Sequence, residues 1–134
     1  MKLVLFAFTA VVALLLASLP AAAHHSFAGT YDVSKEITIK GKIVEVSLRS
    51  PHSFFFVEDE DEKGAPRRWS VEGASASQFA QQGVTKDALK VGDLVEITAN
   101  PARSMITSFR ARLIRIVRPS DGWSWGGRPN ESFQ

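Results

Sequence analysis

The chemistry this sequence can offer starts from its three histidines, His24, His25 and His52. Imidazole nitrogens suit copper, nickel and zinc, and His24 and His25 stand directly after Ala21-Ala22-Ala23. That position matters, because Ala21 and Ala23 are the small residues a signal peptidase needs just before its cut. Cleavage after Ala23 leaves a free α-amine beside the His24 imidazole, a pair able to chelate a metal through both nitrogens. A second imidazole, from His25 or His52, would complete a brace around the ion. Cleavage one residue earlier leaves Ala23-His24-His25, a free amine with histidine third, which is an amino-terminal Cu(II)/Ni(II) motif. Either register gives the same expected metal ligands, His24, His25 and His52, with copper the leading metal. The plainer reading is that polar residues keep the cleavage junction accessible and that His52, after Pro51, caps a strand or donates a hydrogen bond.

Two other groups offer contacts rather than chemistry. Phe54-Phe55-Phe56 and Trp69 could stack flat ligands, although alternation along a strand sends half of such rings inward. Arg110 and Arg112 lie two residues apart on one strand, so they share a face and can receive a phosphate or carboxylate. The alternative for this arginine-rich strand, which continues to Arg115 and Arg118, is an edge protected from aggregation by its charge. Trp69, Arg110 and Arg112 are therefore the expected partner-binding residues. The acidic run Glu58-Asp59-Glu60-Asp61-Glu62 lacks the glycine and the spacing of a calcium loop and reads as a solvated hairpin tip. Cysteine is absent, which excludes disulfides, thiolate metal sites and a Cys nucleophile. G-x-S-x-G and H-E-x-x-H are absent as well, and Ser53 beside His52 would point to the opposite face of a strand. No catalytic residue is expected, and the chain is read as a non-enzyme.

The elements that must position these side chains begin after residue 23. Lys2 is the sole charge in residues 1–23, and an apolar run broken only by Thr9 leads to the small-residue end, the pattern of a cleaved secretory signal peptide. The mature chain is thus expected in the periplasm or outside the cell, with no membrane span. Removing Lys2 lowers the net charge from +2 to +1, too balanced for a polybasic nucleic-acid binder. Residues 24–36 form a polar lead-in. Residues 37–48 read as a long first strand in which Ile37, Ile39 and Ile43 share one parity while Val44, Val46 and Leu48 take the other. A phase change of this kind predicts a bulge or bend, and Gly41 is the natural place for it.

A second strand centres on Phe54–Val57 and a third carries Trp69 and Val71. Ser75 with Gln78 makes a capping box for a short helix that Gly83 ends, with Phe79 as its one large apolar anchor. The fourth strand follows Gly92-Asp93, with Val95, Ile97 and Ala99 facing one way. A loop holding Asn100-Pro101 precedes the fifth strand, residues 109–117. Residues 119–134, with Trp123 and Trp125, read as a flexible tail. Three strands, a helix and two strands, with a long bent first strand, is the order of an OB-like five-stranded barrel, all-β with one short helix. An α+β sandwich is the alternative. Residues 37–118 suffice for a single core, so the barrel is expected to be one domain and a monomer.

Several segments taken together carry a resemblance: Ala23-His24-His25-Ser26-Phe27-Ala28, Pro51-His52-Ser53, Trp69-Ser70-Val71-Glu72-Gly73, and Thr85-Lys86-Asp87-Ala88-Leu89-Lys90-Val91-Gly92-Asp93. Over residues 22–118 the chain resembles a family of small exported bacterial proteins known as a domain of unknown function. That family usually has Asn before Pro-His-Ser, where this chain has Ser50. The resemblance implies export and a compact β-rich domain, and no activity. Three functions remain open: a non-enzymatic binding module with a copper site, a cell-envelope protein contacting an anionic polymer or protein partner, and a copper-dependent oxidoreductase. The first requires the lead-in to fold back beside residues 50–53. At about 3.3 Å per extended residue the distance is easily spanned.

Overall fold

In the computed structural model, residues 27–105, 109–128 and 131–132 are described. The elements are α1 (Phe27–Thr30), β1 (Ile37–Ser47), β2 (Phe54–Glu60), β3 (Pro66–Glu72), α2 (Ala76–Gln81), β4 (Leu94–Pro101), β5 (Phe109–Arg118) and β6 (Trp123–Trp125). The sheet runs in the order β3-β2-β1-β4-β5-β6, and a parallel pairing of β3 with β5 closes the first five strands into a barrel. The OB-like order is therefore the observed one, with a sixth strand added.

β1 makes the barrel possible because it serves two neighbours. Its first half, Ile37 to Lys42, pairs with β4, and its second half, Lys42 to Ser47, pairs with β2. The phase change read in the sequence appears as a register shift between Ile43 and Glu45, which makes Val44 the extra residue of a bulge. Gly41 lies three residues before that bulge and has a different duty. A Cβ there would come within 2.3 Å of the Glu58 carbonyl oxygen, so glycine lets β2 approach β1 where the strand changes partners.

Period-2 alternation fills the interior. β2 sends Phe55 and Val57 inward, β3 Trp69 and Val71, and β4 Val95, Ile97 and Ala99. α2 closes one end. Ser75 is its N-cap and accepts from Gln78 N at 3.2 Å, while the Gln78 side chain reaches Ser132 O at 2.9 Å instead of turning back to complete the box. Phe79, 1% exposed, plugs the barrel between Phe55 and Trp125, both in edge-to-face contact at ring separations of 5.7 and 4.9 Å.

Three expectations need correction. Residues 119–134 are not simply a loose tail. β6 pairs with β5, Trp125 is 1% exposed with its indole N–H on Gln82 Oε1 at 2.9 Å, and Glu131 is buried, accepting from Gly126 N. The tail is held because the open end of the core beside Phe79 needs a large apolar cover. Nor is β5 a charged edge, since it pairs with β4, with β6 and, in parallel, with β3. Arg118 illustrates what its charges do: it bridges Asp93 and Asp121 at 2.7 and 2.8 Å. The lead-in, finally, is polar only in part. It contains α1 and Tyr31, which is 1% exposed. Among the described residues no helix is long and apolar enough to cross a membrane.

Candidate functional site

The site forms where the lead-in returns to the barrel rim. Asp32 N donates to Pro101 O, Arg103 N to Thr30 O, and Arg103 Nε to Ala28 O, at 2.9, 3.0 and 2.7 Å. Tyr31 forms an isolated bridge with Ala102. Further along, the Asn100 side-chain amide donates to Lys35 O at 2.7 Å. These bonds lay residues 27–35 along the end of β4 and carry Phe27 and Tyr31 to the corner that bears His52.

That corner, with a cis Ser50–Pro51 peptide, is clamped through Ser53. Ser53 is fully buried, its N–H donates to Ala74 O at 2.9 Å, and its carbonyl accepts from Gly73 N at 2.8 Å. Since neighbours on an extended chain point to opposite faces, fixing Ser53 inward turns His52 outward. His52 Nδ1 meets Glu72 Oε1, and the Tyr31 hydroxyl donates to Glu72 Oε2. Arg110 Nη2 stands 3.9 Å from the same Oε2. Phe27 lies against the His52 ring at 5.4 Å between centroids, and the Arg112 guanidinium sits over the same Phe27 ring, 4.7 Å from its centroid. Arg112 Nη1 also donates to Asn100 Oδ1 at 3.3 Å.

Glu72 is the hub of this arrangement. It is 8% exposed and ends β3, where the register sets it opposite Phe54 on one side and Arg112 on the other. A carboxylate taken out of water requires partners, and here an aromatic hydroxyl, an imidazole and a guanidinium supply them. Burial and the neighbouring Glu72 carboxylate raise the Tyr31 phenol far above its ordinary range, so the hydroxyl remains a donor. Burial pushes the Arg112 guanidinium downward, opposed by Glu72.

The expected site residues are thus distributed as follows. His52, Arg110 and Arg112 come together around one carboxylate, so the anion that Arg110 and Arg112 face in the folded chain is Glu72 itself. His24 and His25 lie outside the described residues. Among the described residues no group of three or more His, Cys, Asp or Glu side chains is arranged to hold a metal ion. Trp69 is a correction. It is 5% exposed, packs on Phe109 at 5.2 Å and donates its indole N–H to Asp59 Oδ1 at 3.0 Å. Inward parity makes it core, while Phe54 and Phe56 take the outer face, stacked 6.4 Å apart, with Arg49 over the first ring and Arg68 over the second.

Sequence reasoning passed over Glu72 and Tyr31. Glu72 lies in the segment Trp69-Ser70-Val71-Glu72-Gly73, where a carboxylate ending an apolar strand is the signal that marks it. Tyr31, the sole tyrosine of the chain, is with Phe27 one of two large hydrophobic rings in an otherwise largely polar stretch.

Comparison with known proteins gives a family and a shape. No functionally curated protein matches the chain in sequence. Solved structures of similar shape include two crystal forms of the mitochondrial single-stranded DNA binding protein Rim1 from S. cerevisiae. Both are 14% identical to this chain with a TM-score of 0.46, the match covering 61% of this chain and 90% or 89% of theirs. One family model, described as "Family of unknown function (DUF6152)", matches residues 11–109. That span takes in the lead-in, His52, Glu72 and the strands that bring them together, and the chain belongs to this family.

Proposed function

We propose that this protein is exported and acts as a small non-enzymatic binding module, with a transition-metal site at the barrel rim. His52 supplies one imidazole, and the mature N-terminus supplies the rest through the His24 amine and ring or through His25. Copper is the leading metal, because nitrogen donors of this kind favour it over other divalent first-row ions. The observation that carries the reading is the return of the lead-in. Phe27 touches the His52 ring, and His24 is three residues upstream of Phe27, within about 10 Å of chain. Chain length therefore allows a histidine pair at a terminus made by cleavage near residue 23 to reach the third histidine.

The test is a Cu(II) titration of the protein as processed on export, followed by calorimetry. One equivalent should bind, and His24→Ala and His52→Ala should each weaken binding by at least tenfold. Equal affinity in all three proteins would end the metal reading.

A second reading, a cell-envelope protein contacting an anionic polymer or protein partner, is favoured by one observation. The outward face of β2, β3 and β5 sets Phe54 and Phe56 among Arg49, Arg68 and Arg110, with Ser70 between Phe56 and Arg110 in register. Capture of a partner that is lost with Arg110→Ala and Arg112→Ala, and is indifferent to His24→Ala, would favour it.

A further inference from the structure

The two ring nitrogens of His52 face different surroundings. Nδ1 meets Glu72 Oε1, while Oε2 of the same carboxylate receives the Tyr31 hydroxyl. A carboxylate oxygen has only lone pairs to offer, so the hydrogen in the His52–Glu72 contact belongs to Nδ1. In water a neutral imidazole prefers its hydrogen on Nε2, and the rim reverses that preference. The ring plane is set as well, since Phe27 lies against it, and the side chain keeps about a third of its surface open (34%).

We infer that Glu72, itself held by Tyr31 and faced by Arg110, is a positioning residue that fixes His52 as the Nδ1–H tautomer and leaves the Nε2 lone pair as the atom offered to a divalent metal. The tautomer follows from the described residues alone; its use as a ligand rests on the metal reading above. Outer-shell carboxylates on metal-binding imidazoles act in this manner by orienting the ring and raising its basicity. Glu72 touches no metal in this scheme. It acts through His52.

Nitrogen NMR of the histidine rings in the exported, metal-free protein tests this directly under conditions where the imidazole rings are neutral. The wild type should show a pyrrole-type Nδ1 and a pyridine-type Nε2 for His52. Glu72→Gln keeps an acceptor oxygen and should preserve that pattern, whereas Glu72→Ala should move the hydrogen toward Nε2. Cu(II) affinity should fall by about 10–100-fold in Glu72→Ala and by less in Glu72→Gln. A wild-type His52 carrying its hydrogen on Nε2 overturns the inference even if the alanine variant fails to fold, as does an unchanged tautomer in a folded Glu72→Ala. The expected tautomers without copper affinity would sustain the positioning role and refute the metal reading.

Discussion

A single phenol reports on the rim. Burial, then the hydrogen bond to Glu72 and its charge, disfavour the Tyr31 phenolate, so its pKa in the folded chain is raised. The folded protein therefore keeps a proton that the unfolded chain releases near pH 10. Stability from this group is fully present below that pH and is lost as the pH climbs past it. Because Tyr31 is the sole tyrosine, alkaline absorbance follows it without interference. We predict that phenolate appears only well above pH 10 and together with unfolding, and that Tyr31→Phe abolishes this alkaline loss of stability. Titration near pH 10 in the native state would place the hydroxyl in water instead. His52 and the arginines of the rim were legible as residue types, since imidazole and paired guanidinium groups declare their chemistry. Glu72 and Tyr31 were not, because their importance arises from contacts 41 residues apart in the chain. Alternation alone could not say whether Trp69 faced in or out, and the Asp59 acceptor for its N–H settles it inward.

At the scale of elements, local signals worked where the pattern was strict and failed where packing decided. The inward set of β4 and the Ser75 cap follow from period-2 alternation and from side-chain capping. The bulge at Val44 was announced by a change of phase, yet its exact residue depends on the crossing with β2, which also constrains Gly41. β6 gave no strand signal, being three residues among Gly, Ser and Pro. It exists because Trp125 completes the core against Phe79. Trp125→Ala should accordingly cost about 3–5 kcal/mol, read by chemical denaturation, a loss that a truly loose tail would not show. The same substitution also strands Gln82 Oε1, which the indole now satisfies.

For the whole molecule, the barrel and the lead-in are parts of one device: the fold closes β3 against β5 and so brings Glu72 beside Arg110 and Arg112, and the lead-in returns to lay Phe27 and Tyr31 on the same rim. The strand order was readable in advance because each strand was bounded by turn residues, and the first was long enough to pair twice. A closed barrel was expected from that order, but the pair that closes it was not readable, since a parallel pairing between strands separated by a helix and another strand leaves no local mark. The small net charge of +2 directs attention away from the surface at large and toward this rim, where the proposed function requires processing at residue 23 or one residue earlier. Native mass spectrometry of the exported protein after addition of one equivalent of Cu(II) tests that requirement most directly. The account predicts a chain beginning at His24 or Ala23 with one copper retained, and no copper in His52→Ala. A chain that begins beyond His25, or one that begins at His24 and retains no copper, would contradict it.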